Sequence, residues 1–178
     1  ANQQRALAKL SLIVPITIFF IFVLLYTAFN SIKFAALILA NVPFATIGGL
    51  LALFLTGQYL SVPSAIGFIA VFGVAMLNGI VLVTFLNEQR ERGLSVREAV
   101  VQGTALRLRP VLMTASVAIL GLVPMLVSSG VGAETQRPLA TVVVGGLISS
   151  TFLTLILLPV LYEWLETRAE RRTQEKSP

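Results

Sequence analysis

The chain has 178 residues, of which 56% are hydrophobic and only 12% are charged. Soluble domains carry about 25% charged residues, so this composition indicates an integral membrane protein. The sequence contains no cysteine and no histidine, which excludes disulfides, thiolate or imidazole metal ligands and Cys/His catalytic pairs. The net charge of +5 does not predict nucleic-acid binding, because the basic residues flank apolar runs, where they set orientation in a bilayer.

Five apolar stretches contain no Asp, Glu, Lys or Arg, and as helices they match the length needed to cross a hydrocarbon core of about 30 Å. The sequence therefore predicts an all-α membrane protein whose residues 1–178 form a single helical bundle. Because the chain begins with Ala1 and not with Met, we expect it to be part of a larger protein. The predicted transmembrane helices lie at about 10–29, 34–55, 65–86, 111–127 and 139–161.

Small residues are concentrated in the second and the last predicted helix. The second helix contains Asn41, Pro43 and the pair Gly48-Gly49, and the last contains the pair Gly145-Gly146. Small side chains at helical spacing let two backbones approach closely, so these pairs predict close-packing strips. For the second helix, an alternative is a broken helix that lines a transport pathway.

The third predicted helix carries one large polar side chain in its apolar run. Asn78 lies between the small residues Ala75 and Gly79, which allow a neighbouring helix to come close. We therefore expect Asn78 to face protein and not lipid.

The longest polar connection contains a helix start. Ser95 and Glu98 have the spacing of a capping box and predict a short cytoplasmic helix over about 95–107. Its apolar residues share one face, with Arg97 and Arg107 on the other. Two interpretations stay open: an amphipathic helix in the membrane interface, with its arginines toward the headgroups, and a plain connecting helix.

The basic residues predict the orientation of the chain in the membrane. Five spans place the two termini on opposite sides, and ten of the thirteen Lys and Arg residues fall on the side of the C-terminus. By the positive-inside rule, the N-terminus is periplasmic and the C-terminus cytoplasmic.

The predicted spans contain no acidic, basic or histidine side chain. An ion-driven transporter usually needs such a group near the membrane midplane, so this chain alone cannot supply that step. It offers neutral hydrogen-bonding groups instead, of which Thr151 and Thr154 are expected to bond to carbonyls of their own helix. Asn78 and Thr114 lie in antiparallel helices and could face one another or a common partner. They are either structural contacts between helices or part of a site.

Several motifs between Asn2 and Tyr162 occur in an order that resembles the resistance-nodulation-division (RND) efflux pumps. The resemblance places the chain at the C-terminal membrane portion of such a pump, at helices eight to twelve of its twelve membrane helices. The motifs are, in order, GVAMLNGIVLV from Gly73, RLRPVLMT from Arg107, GLVP from Gly121, GVGAE from Gly130 and the pair Gly145-Gly146.

Within this family the chain resembles the heavy-metal efflux branch, the CzcA-like pumps. Drug-exporting members carry a lysine of the proton relay where this chain has Leu77. Copper and silver pumps carry a glutamate at Leu77 and a lysine at Val111. Both positions are apolar here, which favours export of divalent cations such as Zn²⁺, Co²⁺, Cd²⁺ or Ni²⁺.

The resemblance also implies partners and residue roles. It implies a homotrimer in the bacterial inner membrane that exchanges protons for metal ions and joins a periplasmic adaptor and an outer-membrane channel. The essential acidic residues of the family lie on its fourth helix, outside this sequence, and the metal-binding residues belong to its periplasmic region. Asn78 and Thr114 would line the cavity into which the carboxylates project, and their hydrogen bonds would help set the carboxylate pKa values. Arg107 matches a cytoplasmic-side arginine near the relay.

We therefore expect a secondary active transporter and not an enzyme, with no catalytic, cofactor-binding or metal-ligating residue in this chain. One alternative is a structural or assembly module that packs against another membrane protein and transports nothing. A second alternative is a drug-exporting RND pump. The coding sequence upstream of Ala1 distinguishes the pump from the module, because the pump predicts a periplasmic domain and an acidic membrane helix there, whereas the module predicts a start codon.

Overall fold

A computed structural model describes residues 2–176, and residues 1, 177 and 178 of the predicted bundle lie outside that part. The described residues form helices joined by short turns, with no β-strand among them. Five helical segments are long and apolar enough to cross a membrane, which confirms the predicted all-α membrane architecture. The helices are α1 (Asn2–Phe29), α2 (Ile32–Leu39), α3 (Asn41–Leu55), α4 (Val62–Glu91), α5 (Val96–Val127) and α6 (Ala133–Gln174).

Helix α1 packs against its neighbours along only part of its surface. Leu25 is buried, whereas Phe19 is 64% exposed. The chain then reverses direction, because Asn30 adopts a left-handed conformation with φ of 48°, which Asn tolerates better than most residues. Phe29 and Phe34 meet edge-on across this turn, with ring centroids 6.2 Å apart. The exposed apolar face of α1 is suited to lipid or to further membrane helices.

The second predicted span consists of two helices. Helix α2 ends at Leu39, Ala40 forms a turn, and α3 begins at Asn41. Pro43 explains the break, because it has no N–H for the carbonyl of Leu39 and its ring crowds that carbonyl. Together α2 and α3 still form one segment long enough to cross the membrane. The interruption is confined to Ala40, which keeps right-handed helical dihedrals, and a broken helix that lines a transport pathway stays a prediction.

The helix expected over 95–107 is not separate from the fourth span: both belong to α5, which runs without interruption from Val96 to Val127. Pro110 deprives only the carbonyl of Leu106 of its partner, and Leu106 is 63% exposed, so solvent or headgroups can reach that carbonyl. The predicted capping box is confirmed, since Ser95 Oγ accepts from the Glu98 N–H at 3.3 Å and Glu98 Oε2 accepts from the Ser95 N–H at 3.0 Å.

Helix α6 is the central element and packs against α3, α4 and α5. It has 42 residues, or about 63 Å at 1.5 Å per residue, so it extends well beyond the hydrocarbon core. The charged tail of α6 is helical as far as Gln174. Two ion pairs to other helices hold it, one from Glu166 to Lys33 at 3.0 Å and one from Glu170 to Arg90.

The two glycine pairs meet at the contact between α3 and α6. A Cβ atom built on Gly48 would lie 2.6 Å from the carbonyl oxygen of Gly145, and one built on Gly145 would lie 2.6 Å from that of Gly48. Ser149 Oγ donates to the carbonyl oxygen of Phe44 at 2.8 Å in the same contact. The predicted close-packing strips are therefore confirmed, and each is the partner of the other.

Candidate functional site

Asn78 lies half-buried on the flank of α4. Its neighbour Leu77 is 59% exposed, whereas Gly79 is buried against α2 and α3. The side-chain hydrogen bonds of α4 lie at its two ends, at Ser64 and between residues 87 and 92. Within the described chain, the amide of Asn78 is therefore free to bind another group.

Thr114 lies on an exposed part of α5. Its hydroxyl donates to the carbonyl oxygen of Pro110 at 2.9 Å, so the side chain bonds to its own helix and not to a neighbouring one. The hydroxyl oxygen keeps its acceptor capacity, and rotation of the O–H would let it donate elsewhere.

Arg107 contacts the helix that carries Asn78. Its guanidinium carbon lies 4.8 Å from the centroid of the Phe85 ring, a distance at which the cation is attracted to the face of the ring. Gly103, one turn earlier on α5, is buried against Phe85 and Leu86. This contact fixes the position of α5 along α4.

The same contact places Asn78 and Thr114 at one level of the bundle. Asn78 is seven residues before Phe85, and Thr114 is seven residues after Arg107. Seven residues are two helical turns, or about 10 Å, and they return to nearly the same helix face. Because α4 and α5 are antiparallel, both side chains lie two turns from the Arg107–Phe85 contact. Helical spacing thus predicts that the three site residues follow the side of α4 and α5 on which Arg107 meets Phe85. The described chain contains no hydrogen bond between Asn78 and Thr114.

Asn41, the polar residue of the second predicted helix, has a different environment. Its side chain is 1% exposed, and its Nδ2 donates to the carbonyl oxygen of Ala75 at 3.4 Å. The same nitrogen is 2.8 Å from the position of a Cβ atom on Gly79. Asn41 therefore joins α3 to the small-residue face of α4, which is a packing role.

Two buried hydroxyls on α6 depart from the expectation. Thr151 is 6% exposed and Thr154 is fully buried, yet neither hydroxyl has a hydrogen-bond partner among the described residues. The prediction that both bond to carbonyls of their own helix was therefore wrong. A buried hydroxyl without a hydrogen-bond partner lowers the free energy of unfolding. Thr151 and Thr154 are therefore destabilising polar positions in the interior, which the sequence alone did not reveal.

The face of α4 that carries Leu77 borders an open cleft of about 860 Å³ between α1 and α4. The cleft is mostly apolar, with Thr84 and Glu88 on its wall. Within residues 2–176, no three acidic, Cys or His side chains lie close enough together to hold a metal ion. The chemistry that Asn78 and Thr114 support is hydrogen bonding by neutral groups.

Comparison with known proteins gives strong matches along almost the whole chain. The model of the AcrB/AcrD/AcrF family matches residues 1–166. The cobalt-zinc-cadmium resistance protein CzcA of Cupriavidus metallidurans is 50% identical over 175 residues, or 98% of this chain. The nickel and cobalt resistance protein CnrA of the same organism is 49% identical over 160 residues, or 90% of this chain.

A solved structure has the same fold. The X-ray crystal structure of a heavy metal efflux pump, crystal form II, superposes with a TM-score of 0.83 at 55% sequence identity over 93% of this chain. The chain spans only 16% of that structure's chain and 16% of CzcA.

Proposed function

Since this chain belongs to the AcrB/AcrD/AcrF family, we propose that it forms one membrane segment of a proton-driven exporter of divalent metal cations. Its likeness to the heavy-metal branch of RND efflux pumps, inferred from the ordered motifs, is confirmed. The observation that carries the proposal is the extent of the match to proteins named for resistance to cobalt, zinc, cadmium and nickel. Zn²⁺, Co²⁺, Cd²⁺ and Ni²⁺ are therefore the proposed substrates.

The proposal divides the work between this chain and further polypeptide. The five apolar stretches contain no Asp, Glu, Lys, Arg or His, whereas proton coupling needs an ionisable group of this kind. The acidic proton carriers therefore lie on a membrane helix outside these residues.

Asn78, Thr114 and Arg107 form the supporting part of this proposed relay. The seven-residue spacings to Phe85 and Arg107 put the amide of Asn78 and the exposed hydroxyl of Thr114 at one level, which supports the proposal that both donate to the same carboxylate. Such donation stabilises the ionised carboxylate and lowers its pKa. Arg107 holds α4 and α5 in register through Phe85.

The proposed setting follows from the family and from the charge distribution. The chain is a multi-pass membrane protein, and we place it in the bacterial inner membrane with a periplasmic N-terminus and a cytoplasmic C-terminus, because ten of thirteen basic residues fall on the C-terminal side. The proposed assembly is a homotrimer joined to a periplasmic adaptor and an outer-membrane channel.

The test is transport by the full-length natural protein that contains this sequence, reconstituted in vesicles. We expect an imposed pH gradient to drive movement of Zn²⁺, Co²⁺, Cd²⁺ or Ni²⁺, with proton flux in the opposite direction, and a protonophore to abolish both. Transport of dyes or detergents without any metal flux would support the drug-exporter alternative. The absence of any flux from correctly folded protein would support the structural module.

A further inference from the structure

A groove rich in basic side chains lies where α6 leaves the apolar part of the bundle. It has a volume of about 520 Å³ and runs between the start of α2 and the end of α6. Its lining residues are Lys33, Trp164, Leu165, Arg168, Ala169 and Arg172. We call it the basic groove.

Four glutamates lie near this end of α6, and two of them form salt bridges with basic residues of other helices. Glu166 pairs with Lys33 at 3.0 Å, and Glu170 pairs with Arg90 of α4. Neither Arg168 nor Arg172 forms a salt bridge with any residue of the described chain. The basic groove therefore keeps two guanidinium groups without an anionic partner, with Lys33 held at its edge.

Trp164 marks the depth of the groove in the membrane. Its side chain is 54% exposed, and tryptophan is favoured at the level of the lipid headgroups. The guanidinium carbon of Arg168 lies 5.0 Å from the centroid of the Trp164 ring, so the stacked guanidinium is held at the same level. Leu165 and Ala169 give the wall between the charges an apolar surface.

We propose that the basic groove binds an anionic phospholipid, with its headgroup phosphate between Arg168 and Arg172 and an acyl chain along the apolar wall. Guanidinium groups match phosphate oxygens with paired hydrogen bonds, and clustered basic residues at the end of a membrane helix attract anionic lipids. The occupant is a lipid and not a free anion because the charges lie beside Trp164 at the bilayer surface. The groove on the other side of Trp164 shares Arg168 and adds Arg171, but it also contains Glu163, whose carboxylate makes it less suited to phosphate.

Adjacent arginines provide a matched pair of variants. Arg172 lines the basic groove, whereas Arg171 lines the groove that contains Glu163. Both are exposed near the end of α6, and glutamine preserves the helix. Arg172→Gln and Arg171→Gln therefore remove the same charge from the same turn.

The full-length protein is titrated with phosphatidylglycerol or phosphatidylcholine and bound lipid is counted by native mass spectrometry. We expect phosphatidylglycerol to bind wild type in preference to phosphatidylcholine, Arg172→Gln to weaken this binding about fivefold, and Arg171→Gln to change it less than twofold. Three results would overturn the proposal: equal losses in both variants, equal binding of the two lipids, or displacement of phosphatidylglycerol by millimolar inorganic phosphate, which would indicate an anion site. Both variants should unfold at the same temperature as wild type, which shows that a difference in lipid binding does not come from a loss of stability.

Discussion

The hydroxyl of Tyr162 donates a 2.6 Å hydrogen bond to Oδ1 of Asn87, and this bond joins α6 to α4 near the ends of both helices. Tyr162 is fully buried, and its ring stacks on Phe34 of α2 with centroids 5.6 Å apart and an interplanar angle of 12°. One side chain therefore connects three helices. Tyr162 lies at the end of the apolar part of α6, next to the ion pairs of the charged tail.

Tyr162→Phe should lower the free energy of unfolding by about 1 kcal/mol, because it leaves the carbonyl of Asn87 without its donor while the ring stacking is kept. The measurement is denaturation of the full-length protein in detergent. Tyr59→Phe is the matched control, since Tyr59 is 89% exposed, and it should leave stability unchanged. Equal stability of both variants and wild type would show that the Tyr162–Asn87 bond contributes nothing.

Gly146 of α6 packs against Val71 of α4. Enlarging the glycine and shortening the valine tests this contact. A Cβ atom on Gly146 would lie 2.6 Å from Cγ1 of Val71 and 3.0 Å from Cγ2. Gly146→Ala should therefore cost about 1–3 kcal/mol through overpacking, and Val71→Ala about 2 kcal/mol through the cavity it leaves. In the double variant the new methyl group occupies the space that the valine methyl groups vacate.

The double variant Gly146→Ala/Val71→Ala should be more stable than the sum of the single effects by at least about 1 kcal/mol. Unfolding of the four proteins in one detergent gives this coupling energy directly. Strictly additive effects would mean that α4 and α6 separate locally and do not hold the close contact.

Pro43 and Pro110 have different effects on their helices, and the sequence alone does not predict the difference. Both prolines remove one helical hydrogen bond, yet the helix breaks before Pro43 and continues through Pro110. Ile38 and Asn41, on the two sides of Ala40, are buried, and Ala40 itself keeps right-handed helical dihedrals, with φ of −60° and ψ of −21°. Pro110 lies on an exposed part of α5 beside the buried Val111. Burial depends on tertiary packing, which local sequence patterns do not predict.

Local patterns predicted features that depend on local chemistry. The capping box at Ser95 and the glycine strips follow from side-chain type and spacing, and the structure contains both. The common level of Asn78 and Thr114 could have been found from the seven-residue spacing to Phe85 and Arg107. The unpaired hydroxyl of Thr154 could not, because its partners depend on how α6 packs against its neighbours.

The Arg107–Phe85 contact predicts unequal effects of two neighbouring arginines. Arg107→Gln should lower metal transport about two- to fivefold, because the lost attraction to the Phe85 ring is worth about 0.5–1 kcal/mol. Arg109→Gln, an exposed charge on the same helix, should leave transport unchanged. Equal loss of transport in both variants would assign the effect to the net charge of this membrane face.

Asn78→Leu and Thr114→Val test the proposed support of the proton relay. If both side chains donate to a carboxylate, each removal should raise the pKa of that carboxylate by about one unit, because hydrogen bonds to the ionised form are lost. The pH optimum of metal-driven proton exchange should then move upward, and the rate at neutral pH should fall. The measurement is the pH profile of exchange by the full-length protein in vesicles.

Matched variants separate this role from packing. Thr46 bonds to the carbonyl of its own helix at 2.8 Å, as Thr114 does, so Thr46→Val controls for that bond and should leave the pH profile unchanged. Asn41→Leu disrupts a buried contact between α3 and α4, so it should reduce folded protein and transport in parallel, with the optimum unmoved. If Asn78→Leu behaves like Asn41→Leu, then Asn78 is a packing residue and the relay must be assembled without it.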